Sequence, residues 1–347
     1  MDNVVTQHAV NAFWSYLIEI KAVLDEDDVQ EVMINSPENI WVERAGVMSK
    51  LDLKLNPSNI IAAAFALRTS NEKDASPIMD ARSYGIRIAL ALSPVAINGH
   101  SMCIRKHSRL RFKLEDYQDR GAFNLLTPEE LIEKDTTHPR PDDAYVANGG
   151  QGVTDMLRWM MKTHKNVLIA GCTSSGKSTF LDAMLGEIDP SRRVITIEDT
   201  AELKVEVPNS VSFEISEKDD IKIWNLVKLA LRYRPDSIIV GEIRGAEAYD
   251  LLDALNTGHD GGLCTLHANS ALLGLMRIEG MVRKSPDAAN LPLAALREQI
   301  ASVFQFVVYA SRKGGKRGPE EIIEVCGVDA KGNYIIKNVF NKIKTVV

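Results

Sequence analysis

Between Asn166 and Thr179 the chain reads Asn-Val-Leu-Ile-Ala-Gly-Cys-Thr-Ser-Ser-Gly-Lys-Ser-Thr, a stretch that leaves the polypeptide few options. An apolar run of strand length, Val167 to Ala170, feeds a loop spaced G-x-x-x-x-G-K-S from Gly171 to Ser178, and a helical segment follows. The two glycines let the backbone curl so that successive N–H groups converge. The helix behind them aims its positive dipole end at the same point. This is a loop built to cradle phosphate.

Gly171, Cys172, Thr173, Ser174, Ser175, Gly176, Lys177, Ser178 and Thr179 are therefore the candidate residues for binding ATP. Lys177 is placed to reach the β- and γ-phosphates and Ser178 to ligate Mg²⁺. The chain has 347 residues, enough for two domains. Its net charge of -6 argues against a nucleic-acid partner, so direct DNA binding is not expected. Apolar stretches are broken by charge before membrane-spanning length, and the N-terminus lacks a basic region followed by an apolar one. A cytoplasmic protein is expected. Cys103, Cys172, Cys264 and Cys326 are scattered, with no pair spaced for zinc.

The first hundred residues mix helix and strand. Apolar positions from Val10 to Ile20 recur at helical spacing within residues 7–24. Two strand candidates, Val29–Ile34 and Ile40–Glu43, flank the turn Asn35–Glu38. Asn56 and Pro57 open a second helix, and strands at Ile86–Leu92 and Ser101–Arg105 surround a bend at Asn98-Gly99. Residues 1–108 are thus expected to form a smaller α+β domain. The charged, Pro- and Gly-containing residues 109–152 read as an interdomain linker, with one short helical patch whose Thr127 and Glu130 form a capping box.

From Val153 onward strands and helices alternate. Strands are expected at Val167–Ala170, Val194–Ile197, Val211–Ile215, Ser237–Val240 and Leu263–Leu266, with helices between them. Residues 153–347 then form an α/β domain with a mostly parallel sheet, whose ligands bind at the carboxyl ends of the strands. Every polar motif falls at such an end. Glu198 and Asp199 close the second strand, where acids beside a triphosphate can orient water or hold Mg²⁺ through its water shell. Ile238 to Val240 ends in Gly241-Glu242, placing Glu242 where P-loop enzymes carry a metal-holding acid. Many such enzymes have aspartate where this chain has Gly241. Arg244 is equally suited to a phosphate contact or an ion pair. His267 follows another strand, where a ring N–H could donate to a γ-phosphate. His259 lies in a Gly-rich turn.

Taken together, Gly171–Thr179, Ile197–Glu202, Arg232 through Pro235 to Arg244, and Thr257–His259 with Thr265–His267 resemble the four boxes of the type II and type IV secretion traffic ATPases. Glu31–Asn35, Ile40–Glu43 and Met102–Lys106 resemble the N-terminal domain of the type IV, conjugative branch. The resemblance implies a RecA-like P-loop domain behind a PAS-like N-terminal domain, assembled as a homohexamer. It implies a Mg²⁺-dependent ATPase that energises substrate translocation or pilus biogenesis from the cytoplasmic face of the bacterial inner membrane. Other secretion-system subunits, including coupling or assembly ATPases, and the inner-membrane complex are the implied partners. Lys177, Glu198, Glu242, His267 and Arg105 become the catalytic candidates, with Ser178, Glu198 and Glu242 around the metal. Arg105 matches an N-domain arginine that reaches the phosphates, and Arg87 and Arg120 are further candidates. A type IV pilus or type II secretion motor, a nucleotide-switched binding module, and a DNA translocase or helicase are the alternative readings.

Overall fold

The computed structural model describes residues 7–68, 76–83, 85–106, 118–119, 138–313 and 316–342. These fall into two compact units. One holds the described residues up to Leu90 and from His100 to Arg140, and the other holds Ala91–Gly99 and the described residues from Pro141 onward.

The first unit begins with α1 (Gln7–Tyr16) and α2 (Ile18–Leu24) where the apolar spacing suggests one helix. The break falls at Leu17, whose backbone leaves the helical region while its side chain stays fully buried. Next come β1 (Val29–Ser36), β2 (Asn39–Arg44), β3 (Val47–Leu51), α3 (Pro57–Arg68), β4 (Ile78–Ser83), β5 (Ile86–Ala91) and β6 (Ser101–Lys106). They make a six-stranded sheet in the order β3-β2-β1-β6-β5-β4. Asn56 caps α3 as its sequence suggests, its Oδ1 accepting the Ser58 N–H at 2.9 Å. Phe13, Leu17, Ile20, Met33, Ile34 and Ile60 lose all contact with solvent, and burial of each such side chain stabilises by about 1.5–3 kcal/mol. β3 was not legible in the sequence because no alternation marks it: Met48 and Leu51, three positions apart, are half-buried and the rest are exposed.

The second unit continues with α4 (Asp143–Ala147), α5 (Gln151–Lys162), β7 (Val167–Gly171), α6 (Lys177–Leu185), β8 (Arg193–Glu198) and β9 (Asn209–Glu214). Then come α7 (Ile223–Ala230), β10 (Ser237–Val240), α8 (Glu247–Leu255), β11 (Leu263–Leu266), α9 (Ala271–Val282), α10 (Leu293–Val303), β12 (Phe306–Lys313), β13 (Lys316–Val328) and β14 (Tyr334–Asn341). The sheet order is β14-β13-β12-β7-β11-β10-β8-β9.

The expected mostly parallel sheet is in fact mixed. β12, β7, β11, β10, β8 and β9 pair in parallel, whereas β13 pairs antiparallel with both β12 and β14. The cause is connection length. Parallel neighbours need a crossover of a dozen or more residues, and β13 starts three positions after β12 ends. At the other edge, Ala96 bridges Phe213, Ile97 donates its N–H to Ser212 O at 3.0 Å and Val95 O accepts the Glu214 N–H at 2.9 Å. Residues that precede β6 in sequence therefore cover the open side of β9.

Within residues 109–152, α4 and the start of α5 are helical. The capping-box patch at 127–132 and Arg120 lie outside the described residues. No helix among the described residues is long and apolar enough to cross a membrane.

Candidate active site

Five consecutive apolar or small residues bury β7 completely, and its flanking strands fix the register of the loop that leaves it: Ala310 lies beside Gly171 and Leu266 beside Ala170. A Cβ on Gly171 would sit 2.5 Å from Ser175 Oγ and 2.6 Å from Ala310 O, so no side chain is tolerated there. Gly176 turns the chain at φ 90°, and α6 starts immediately after it with no side-chain cap. The orphan N–H groups of its first turn are left for a ligand. Ser178 and Thr179 are exposed on that turn, and the buried Ser175 Oγ has no hydrogen-bond partner among the described residues.

The Lys177 ammonium donates to Cys172 O at 3.2 Å and lies 3.3 Å from His267 Nδ1. An ammonium has only protons to offer, so Nδ1 presents its lone pair and the ring proton sits on Nε2. That nitrogen faces Glu242 Oε1 at 3.1 Å. Burial lowers the Lys177 pKa, with the Glu242 charge opposing it.

Arg244 binds two acids, through Nη2 to Glu242 Oε2 at 2.9 Å and through Nη1 to Asp199 Oδ2 at 2.6 Å. Burial alone would raise the Glu242 carboxyl, yet the Arg244 hydrogen bond and charge, with His267 and Lys177, hold it below the usual range. Asp199 goes the other way: burial raises it despite Arg244, and neighbouring acids add to the effect. Of the two roles open to Arg244, the ion pair is the one formed here.

Glu198 is buried beside this group, and its Oε1 accepts the N–H groups of Glu202 at 3.0 Å and Leu203 at 3.1 Å. Burial pushes its carboxyl up, against those two bonds. The unusual Gly241 now has a physical reason. A Cβ there would come within 3.1 Å of Glu198 Cγ, while Ile197 O and Thr265 Oγ1 clamp the Gly241 backbone from either side. Glycine at the strand end leaves the space that Glu198 fills.

The remaining predictions separate by place. His259 lies before β11 and contacts Pro235 O, before β10, at 3.0 Å, so it belongs to the amino edge of the sheet, away from the loop. Arg105 is exposed near the end of β6 in the first unit, opposite Glu31. Arg87 is held by Asp80 through two hydrogen bonds of 3.1 and 2.7 Å. Asn269 and Tyr309 were missed by sequence reasoning: the Cys172 thiol donates to Asn269 Oδ1 at 3.2 Å, and Tyr309 OH is 4.0 Å from the same sulfur. An open cleft of about 590 Å³ lies between Cys172 and Thr173 on one side and residues 267–277 on the other.

These features fit a triphosphate with Mg²⁺. The uncapped helix end and the unpaired Ser175 hydroxyl are anion-binding groups, and Ser178 with the carboxylates of Glu198 and Glu242 are the hard oxygen donors that Mg²⁺ prefers.

Comparison with known proteins points the same way. The family model described as type II/IV secretion system protein matches residues 148–313. The type IV secretion system protein PtlH homolog of Bordetella bronchiseptica is 30% identical over 314 residues, covering 87% of this chain and 91% of the relative. The type IV secretion system protein VirB11 of Bartonella henselae is 31% identical over 323 residues, covering 87% and 90%. Among solved structures, the VirB11 ATPase from the Brucella suis type IV secretion system, in complex with sulphate, superposes with a TM-score of 0.79 at 28% identity, over 91% of this chain and 96% of that one.

Proposed function

The chain belongs to the type II/IV secretion system protein family, and on that premise we propose that it is the ATP-hydrolysing motor of a bacterial type IV secretion system. It works as a homohexamer of RecA-like domains, each behind a PAS-like N-terminal domain, peripheral to the cytoplasmic face of the inner membrane. The observation that carries this reading is the chain Lys177–His267–Glu242–Arg244, assembled at the uncapped end of α6.

Bound Mg²⁺·ATP would supply the scissile phosphoanhydride and draw off the charge that develops as it breaks. Lys177 would exchange Cys172 O for the β- and γ-phosphates. His267, released at Nδ1, keeps its other nitrogen toward Glu242 and follows the state of the site. Glu242 and the other oxygen of Glu198 would hold the metal's water shell and orient the attacking water, and Ser178 would offer its hydroxyl to the metal. Arg105, in the N-terminal domain, is the further catalytic residue that the family resemblance adds to this reading. Relaxation of this network when the γ-phosphate leaves is the mechanical event that the motor exploits.

Steady-state ATP hydrolysis by the wild type and by Lys177→Ala tests the reading. The variant should lose about a hundredfold or more in turnover while melting like the wild type. Unchanged turnover would remove this loop from the chemistry.

A further inference from the structure

The hairpin joining β12 to β13 leaves the sheet at the same edge as the phosphate loop. β12 runs parallel to β7, and their register pairs Ala310 with Gly171, the residue from which the loop springs. The sequence of this hairpin, Arg312-Lys-Gly-Gly-Lys-Arg317, is strongly basic and lies outside the four motifs.

Two observations concern its arginines. Arg317 lies against the phosphate loop: a Cβ built on Gly176 would be 3.5 Å from Arg317 Cβ and 3.7 Å from its Cδ. The stem of the arginine therefore passes over the glycine that precedes Lys177. Independently, the strand register sets Arg312 directly opposite Arg317. Like charges facing each other across a strand pair are destabilising. Both side chains are exposed, and among the described residues neither is paired with a carboxylate. Two facing cations with no internal counter-charge, beside a loop of converging N–H groups, make a local conflict that an anion would resolve.

We infer that Arg317 is a nucleotide-binding residue, holding the polyphosphate chain from the β12–β13 side while Lys177 holds it from the His267 side. The inference rests on the nucleotide-site reading and extends it to an element beyond the recognised motifs. Among the described residues no hydrogen bond or ion pair joins Arg317 to the Lys177–His267–Glu242 chain, so its contribution is to affinity for both the di- and triphosphate. A Cβ at Gly176 would meet the arginine stem only at van der Waals distance, so it is the positive φ of 90° that calls for glycine there.

The test is equilibrium binding of ATP, ADP and inorganic tripolyphosphate, with steady-state kinetics, for the wild type, Arg317→Ala, Arg317→Lys and Arg317→Glu. Lys331→Ala, an exposed cation on the β13–β14 turn, controls for net charge. Arg317→Ala should weaken all three ligands about tenfold or more, the usual range for a charge-assisted contact, raise KM in step and leave kcat within about twofold. Arg317→Lys should fall between, Arg317→Glu should be worse, and Lys331→Ala should match the wild type. Affinities within about twofold of wild type in Arg317→Ala would overturn the inference, as would weakening confined to nucleotides with tripolyphosphate unaffected, because that pattern assigns Arg317 to the base. A melting curve for each variant separates lost binding from lost fold. If the wild type itself binds no nucleotide, the failure belongs to the proposed function.

Discussion

Glu198 shows how the site trades stability for chemistry. Its carboxyl is raised by burial, so the folded chain holds that proton more tightly than the unfolded chain does. The stability linked to it is fully present below the ordinary carboxylate value and is lost as pH rises through the folded value. Glu198→Gln keeps an oxygen for the Glu202 and Leu203 N–H groups and removes the buried charge. The variant should melt at a higher temperature than the wild type at neutral pH, with the difference vanishing in acid, while hydrolysis falls. Thermal scans across pH check the sign. A variant less stable at every pH would mean that the carboxylate is held by favourable contacts and not merely tolerated. Glu242 and Arg244 behave differently, because their charges pair with each other.

Among the elements, β7 and β12 approach closely at one point. The Gly171 α-carbon faces a backbone carbonyl, Ala310 O, and a backbone atom cannot swing aside as a side chain can. Gly171→Ala should therefore cost about 1–3 kcal/mol of stability, the range for overpacking a filled interior, and should also disturb the loop through Ser175. Denaturant unfolding with an unchanged slope would record the first effect, and weakened nucleotide binding the second. A fully stable variant would show that the strands can separate at little expense. The same pair of strands carries the Arg317 hairpin, so their spacing sets both flanks of the phosphate loop.

For the whole molecule, the proposed ring makes a direct prediction: light scattering should give a mass near six times the 38.4 kDa of the chain, favoured by ATP. A single-chain mass with and without nucleotide would rule the ring out. The strip at residues 95–97 covers the β9 edge of this unit's sheet, and β14 is the strand at its other edge. A covered edge limits strand-to-strand association on that side.

The strand-loop-helix at residues 167–185 was determined by sequence alone, because glycine spacing and an apolar run admit one local structure. The same holds for the acids and His267 at strand ends, since a parallel alternation sends every such end to one edge. Other features were decided only in three dimensions. The spacing Thr257-Gly-His259 groups His259 with His267, but strand direction sends them to opposite edges. Gly241 reads as a missing acid until Glu198 is seen lying over it from the neighbouring strand. Arg317 is an ordinary surface cation in the sequence, and its place against Gly176 depends on the pairing of β12 with β7. Local periodicity fixes which element forms. Which side chains meet depends on register and crossover, and those are set by packing between segments far apart in the chain.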